Sequence, residues 1–413
     1  MLSLAVAALS VGVLVSPTLA QDSHKRVRVF LDCSDCFSDF VRTELLFVDY
    51  VRDRTEADVH VLVTSSETGS GGREYTAEFI GAGRFAGVNT TLKAVTTSSD
   101  PEDVVRRQIA NTLRIGLLGY VAREGLPPQL SVRVDVDEEK ARPRTPADDP
   151  WDNWVFSIRG SASFQGEESN RQTELSGSLS ADRITPDWKL TLATAIDHEN
   201  ERFDLDEDDP VSVKRREREF QWLAVKALGD HWSAGAEGDI ESSTFSNKKL
   251  SVRAAPAIEF NVFPYSAYTR RQLRLQYSLG AERVNYYEET LFEKTGETLP
   301  SHEFSVNFDQ RERWGSVEGR LEVFQYLHDL AKSRLEGNAE ISWRIARGLS
   351  VSADAGASRI RDQIALPRRG ATPEEILLRQ RQLRSGYEYD LQLSFTYTFG
   401  SIFSAIVNPR FGQ

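Results

Sequence analysis

Two cysteines stand three residues apart, Cys33-x-x-Cys36, where a short apolar run gives way to helical spacing. A thiol pair at a helix start is a geometry that redox sites use, because the positive helix end lowers a thiol pKa. Here Asp35 lies between the cysteines and opposes thiolate formation, and no cis-proline motif accompanies them. The pair therefore reads as a static disulfide of an exported protein. Two cysteines alone do not complete a tetrahedral zinc site. The histidines, His24, His60, His198, His231, His302 and His328, include no pair at i, i+4 spacing. No Gly-x-Ser-x-Gly marks a serine nucleophile. Gly69-Ser70-Gly71-Gly72 lacks the Lys-Ser/Thr of a phosphate loop and reads as a hairpin turn. No catalytic group, metal or cofactor is expected.

The remaining candidates are charges that recur at every second position of the C-terminal two thirds. Arg253, Glu259, Arg274, Glu282, Glu318, Arg320, Glu322, Glu336, Glu340, Arg344 and Asp354 all fall on one face by alternation. Arg159, Asp182, Lys189, Glu237, Asp239, Glu241 and Arg334 join them. A side-chain period of two puts neighbours on opposite faces of a sheet. These charges therefore line an interior whose exterior is apolar. Two alternatives stay open: an acidic, cation-preferring polar channel, or a lumen filled by paired charges with no open pore.

The elements that carry this face begin at Trp151. In Leu335–Ile345, Leu335, Gly337, Ala339, Ile341, Trp343 and Ile345 alternate with Glu336, Asn338, Glu340, Ser342 and Arg344. The segments 250–262, 273–281 and 391–399 behave likewise. Their length matches the roughly 9–11 residues that a tilted strand needs to cross a bilayer, and the apolar face stays free of charge. Twelve strands are expected, starting near Trp154, Glu174, Trp188, Glu219, Trp232, Lys249, Gln272, Glu303, Gly315, Arg334, Leu349 and Ser385. Turns near 185–187, 229–231, 313–315 and 346–348 are short. Long polar loops are expected at 199–216, 288–301 and 367–381, on the side opposite the N-terminal domain. Aromatics near strand ends, including Trp188, Trp232, Tyr265, Tyr268, Tyr286, Tyr287, Tyr387 and Tyr389, are expected to form an interfacial girdle.

Before the strands lies a different unit. Residues 1–20 read as a signal peptide, with an apolar stretch from Leu2 to Val15 and small residues before Gln21. Residues 21–136 read as a small periplasmic α/β domain. Strands are expected at 26–31, 58–64, 73–80, 90–97 and 130–136. Helices are expected at 37–54 and 104–122, the second opened by Asp100-Pro101-Glu102-Asp103. Residues 137–150 form a charged, proline-bearing linker, 151–400 the barrel, and 401–413 a C-terminal periplasmic tail. The fold class is thus mainly β, a transmembrane antiparallel barrel of about twelve strands preceded by a small α/β domain. A net charge of −12 argues against nucleic acid as a partner. The expected partners are outer-membrane lipid and a periplasmic protein meeting residues 24–136.

Several stretches resemble a family of uncharacterised outer-membrane β-barrel proteins of Gram-negative bacteria. They are Val29-Phe30-Leu31-Asp32-Cys33, Phe47-Val48-Asp49-Tyr50-Val51-Arg52-Asp53-Arg54, Asp58-Val59-His60-Val61-Leu62-Val63, Tyr326-Leu327-His328-Asp329, Arg361-Asp362-Gln363 and Val407-Asn408-Pro409-Arg410-Phe411. The resemblance covers most of the chain after residue 20. It implies the fold and an outer-membrane location with the N-terminal domain in the periplasm, and it brings no activity. The N-terminal unit also looks loosely like small periplasmic α/β domains of envelope assembly proteins. That likeness is one of fold and implies little about function.

Overall fold

The computed structural model describes residues 26–33, 35–69, 71–124, 149–168, 170–203, 211–346, 348–370 and 382–399. The signal peptide, the strand expected at 130–136, most of the linker and the C-terminal tail lie outside the described residues.

The N-terminal unit is built on β1 (Arg28–Asp32), α1 (Ser38–Glu44), β2 (Asp49–Tyr50), β3 (Val59–Glu67), β4 (Arg73–Gly81), β5 (Asn89–Val95) and α2 (Glu102–Arg123). The sheet order is β2-β1-β3-β4-β5, with β1 parallel to β2 and β3 and the rest antiparallel. Alternating valines dictate the strands. Val27, Val29, Val59 and Val61 point into one core with Phe79, Leu113, Leu117 and Tyr120. Burying each such side chain contributes about 1.5–3 kcal/mol. The β3–β4 hairpin closes through Thr68 and Gly72, where Gly71 adopts a positive φ of 70°.

One helix departs from expectation. Helical spacing ran from Phe37 to Arg54, yet α1 stops at Glu44. Asp49 and Val51 instead donate backbone hydrogen bonds to Val27 and Val29, extending the sheet along the free edge of β1. The aromatic and β-branched run Phe47-Val48-Asp49-Tyr50-Val51 favours that outcome.

The C-terminal unit is one antiparallel meander of twelve strands in sequence order. Its first half is β6 (Trp154–Gly166), β7 (Asn170–Ile184), β8 (Trp188–Phe203), β9 (Val211–Ala227), β10 (Trp232–Ser243) and β11 (Lys248–Asn261). Its second half is β12 (Arg271–Tyr286), β13 (Gly296–Glu312), β14 (Gly315–Tyr326), β15 (Asp329–Ala346), β16 (Leu349–Ile360) and β17 (Tyr387–Tyr397). Several strands start four to eight residues earlier than the alternation marks. The additional residues are polar and paired, as in the Arg215–Glu199 ion pair at 3.2 Å between β8 and β9. Such ribbons carry no apolar period to announce them.

Closure is the chief difference from the expected barrel. β6 and β17 end the sheet order and do not pair with each other, so the sheet is open at that seam. Both edge strands are exposed on both faces over most of their length. Neither edge gains the cross-strand contacts that bury the inner face of β10 to β14.

The end of the sheet that meets the N-terminal domain, here called proximal, carries the turns at 185–187, 228–231, 262–270 and 313–314, and Gly348. At the distal end, residues 361–370 follow β16 and residues 382–386 precede β17. The expected division into short and long connections is incomplete: the distal turn at Leu327-His328 is two residues, and the proximal 262–270 segment is nine.

Candidate functional site

The inner face takes its character from cross-strand register. On β10 to β13 the charges are paired. Arg253 lies 3.4 Å from Glu237, 3.7 Å from Asp239 and 3.7 Å from Glu303. The last contact passes over β12, where the inward residues Ser278 and Gly280 are small enough to let it. Lys248 bridges Glu241 at 2.9 Å and Glu282 at 3.2 Å, and Ser251 donates to Glu282. Arg274 faces Glu259 at 3.8 Å.

On β13 to β16 carboxylates dominate. Asp309 stands opposite Glu318, Glu318 opposite Glu340, and Glu340 opposite Asp354. Gln272 and Gln392 extend this row on either side. Glu322 and Glu336 form a second opposed pair nearby. Arg311 pairs with Glu318 at 2.9 Å and Arg320 with Glu322, while Arg334 lies 3.9 Å from Glu336. Like charges directly opposite each other on a sheet are unfavourable. A row of four therefore concentrates negative charge, relieved at Glu318 by Arg311. Asp309, Glu318, Glu340 and Asp354, with Asp390, line a cavity of about 490 Å³ against only Arg274 and Arg320. Among the described residues no group of His, Cys, Asp and Glu forms a metal-binding cluster. The row offers a diffuse field rather than a chelate.

This cavity shares two of its residues with a second. Glu318 and Glu340 also line a chamber of about 570 Å³ beneath the N-terminal domain, together with Asp32, Asp35, Glu67, Glu312, Arg73, Arg311 and Arg344. The roof of the chamber is the end of β1 and the β3–β4 hairpin. The contacts that seat it are polar. Arg344 Nη1 donates to Asp32 at 2.7 Å, and its Nη2 meets the other carboxylate oxygen. His60 Nε2, on a ring only 3% exposed, bonds the same carboxylate at 3.0 Å. Gly348 N–H donates to Asp53 at 2.8 Å, Arg54 donates to the Arg313 carbonyl, and Arg270 lies 3.6 Å from Glu78. Tyr268 donates to Glu74 at 3.1 Å. Burial pushes the Asp32 carboxyl up, but the His60 hydrogen bond and the Arg344 guanidinium outweigh it and hold Asp32 below the usual carboxylate range.

Arg344 keeps an inward register position at the rim, where it lines the chamber and its guanidinium is held by Asp32 of the N-terminal domain. Arg253, Glu259, Arg274, Glu282, Glu318, Arg320, Glu322, Glu336, Glu340 and Asp354 keep inward positions. Sequence reasoning missed Asp309, Lys248, Glu303 and Arg311 on the inner face, and Asp32, Asp53 and His60 at the seat. Alternation marks a face, but nothing local marks which residues stand opposite.

The inner face is also less polar than expected at its distal end. Val284, Tyr286, Leu299, Phe324 and Tyr326 pack there against Ile364 and Ala365, which follow β16. Asn247 donates to the Ala365 carbonyl at 2.8 Å, Leu291 N–H donates to Leu366, and Arg334 pairs with Asp362 at 3.0 Å. Tyr286 therefore leaves the expected aromatic girdle, as does Tyr265, which donates to Glu259 at 2.7 Å. Trp188, Trp232, Tyr387 and Tyr389 remain on the exposed outer side. Cys33 and Cys36 form a disulfide with Cα atoms 5.9 Å apart, directly after Asp32.

No protein-family model and no curated protein matches the chain. Among solved structures, the siderophore receptor PirA from Pseudomonas aeruginosa overlaps 72% of this chain at 12% identity and a TM-score of 0.30. This chain spans about two fifths of that receptor, 41% of its length. The translocator domain of autotransporter NalP from Neisseria meningitidis overlaps 60% of this chain and 87% of its own at 8% identity, with a TM-score of 0.21. Overlaps this loose decide neither fold nor activity.

Proposed function

We propose that the chain is an outer-membrane β-barrel that passes small cations, with the N-terminal domain seated in its periplasmic mouth as a gate. The observation that carries this is the row Asp309–Glu318–Glu340–Asp354, two of whose members, Glu318 and Glu340, also line the acid-rich chamber under the docked domain. Membrane embedding is supported by the outer face. Ile158, Leu192, Ile258, Leu321, Ile341 and Phe395 are exposed there, and water would penalise such a surface. In hydrocarbon the unpaired edges of β6 and β17 would each leave a row of orphaned N–H and C=O groups, so the embedded form pairs them. Polar seating suits a gate, because hydrogen bonds exchanged with water have a small net worth of about 0.5–1.5 kcal/mol each. No catalytic role is assigned, and a periplasmic protein meeting residues 26–124 would act by unseating the domain.

The distal apolar cluster favours a second account, a closed barrel that anchors the domain in the envelope. Single-channel recording in planar bilayers separates the two. The full chain and a form lacking 21–150 are compared, with Glu340→Gln and Asp354→Asn introduced together. Gating predicts larger conductance without the domain, and a cation preference that falls in the double variant. A folded barrel silent in every form supports the anchor.

A further inference from the structure

The outer face of the β8–β9 ribbon gathers cations without acids, and register fixes which face they take. Leu192 stands opposite Trp222, Thr194 opposite Phe220, Ile196 opposite Arg218, His198 opposite Arg216 and Asn200 opposite Lys214. On the other flank Phe220 meets Ile240 and Arg218 meets Ser242. Leu192, Ile196, Phe220 and Ile240 are the exposed apolar residues of the outer face, so Lys214, Arg216 and Arg218 share that face. The acids of the ribbon take the opposite parity: Glu217 accepts from the buried Ser243 at 3.1 Å, and Glu199 pairs with Arg215 at 3.2 Å. Lys214, Arg216 and Arg218 are exposed, and among the described residues their side chains form no ion pair and no hydrogen bond. Alternate residues of a strand stand about 7 Å apart, so three like charges repel along one edge of the face. Their cross-strand neighbours Ile196, His198, Asn200 and Ser242 include no acid to relieve them. About 17 and 23 Å of strand separate Arg216 and Arg218 from Val211 and the acids before it in sequence, against a screening length of about 8 Å. Arg218 lies just distal of Phe220, where apolar exposure on β9 ends. A guanidinium presents a planar fork of donors matched to phosphate oxygens.

We propose that Arg216 and Arg218, with Lys214 beyond them, hold the phosphate of an anionic lipid in the leaflet at the distal end, its acyl chains lying along Ile196, Phe220 and Ile240. The proposal rests on membrane embedding of the sheet, not on conduction. Position argues for a lipid over a soluble anion: the cations crown an apolar surface that acyl chains cover, and basic residues at that level attract anionic headgroups.

Native mass spectrometry of the full chain released from dodecyl maltoside tests it, with phosphatidylglycerol, diacylglycerol and inorganic phosphate as probes. The expected result is a retained phosphatidylglycerol adduct that Arg216→Gln with Arg218→Gln weakens about tenfold. Arg216→Lys with Arg218→Lys keeps it, and Lys226→Gln, near the proximal end of the same face, leaves it unchanged. Equal retention of diacylglycerol, displacement by millimolar inorganic phosphate, or an adduct indifferent to the glutamine pair overturns the proposal. Heat-dependent gel mobility separates that failure from a failure of embedding. An unsubstituted chain without the gel shift overturns embedding and the lipid site with it, whereas a shifted chain whose adduct ignores the glutamine pair overturns the site alone. If the glutamine pair itself lacks the shift, the unsubstituted chain at a series of ammonium acetate concentrations decides. An adduct that weakens as salt rises supports a charge-held headgroup, and a salt-independent one overturns it.

Discussion

Asp32 ties three elements with one carboxylate: it ends β1, accepts from His60 on β3, and receives the Arg344 fork from β15. Replacing it with Asn removes the charge that Arg344 needs. Because Arg344 is about a third exposed, the loss should be moderate, about 1–2 kcal/mol of docking. The expected sign is faster amide hydrogen exchange at Gly348, whose N–H donates to Asp53 of the docked domain, with unchanged heat-dependent gel mobility. Asp58 works within the domain. Burial raises its pKa, but Arg28, through side-chain and backbone hydrogen bonds, and Arg84 bring it below the ordinary value. Asp32 and Asp58 thus have folded pKa values below the unfolded value of about 3.9. Their stabilisation is complete above the unfolded value and is lost as pH falls through the depressed folded values. Hydrogen exchange of β1 and β3 amides in the full chain, corrected for intrinsic rates, should be flat from pH 7 to 5 and rise below about pH 4. Flat protection down to pH 2 would remove both carboxylates from the account. Neither residue announces itself in sequence as anything but a strand-end acid.

At the scale of elements, α2 lies on the sheet by virtue of a missing side chain. A Cβ on Gly116 would stand 2.0 Å from the Phe79 ring of β4. Alanine there gains about 1 kcal/mol of helix propensity, and overpacking costs about 1–3 kcal/mol. Gly116→Ala should therefore lower domain stability, whereas Gly119→Ala, which meets nothing within 4 Å, should raise it. Thermal unfolding of both variants checks the contrast. The strands show what was legible. All twelve follow from a period of two, and their starts are most accurate where a tryptophan or glycine opens them, as at Trp188, Trp232 and Gly315. They are least accurate at Val211 and Gly296, where polar ribbons extend past the apolar band. The short α1 departs from the expected 37–54 for the opposite reason: Leu45, Leu46, Val48 and Val51 carry helical spacing, but the open edge of β1 offers hydrogen bonds that a longer helix would forgo.

At the scale of the molecule, the proposed gate would be one of two stoppers in series: the N-terminal domain is seated on the proximal end of the sheet, and Ile364 packs into the distal cluster. Ile364→Asn should loosen the distal stopper. If the domain gates as proposed, conductance in planar bilayers should rise strongly only in the form lacking 21–150. Equal conductance with and without the substitution would show that the cluster does not obstruct the path. The amino-acid order alone determined which residues face in and which face out, the number of strands, and the change of texture near Trp151. These follow from spacing along the chain, and side chains alternate wherever a strand forms. Tertiary structure alone decided that Asp309, Glu318, Glu340 and Asp354 stand in one row, that Arg344 at the rim meets Asp32, and that Tyr286 and Tyr326 fill the distal end. Those are relations between residues far apart in sequence. A shift of two residues between neighbouring strands preserves every inward position and yet would break the row, so register and docking had to be settled by packing in three dimensions.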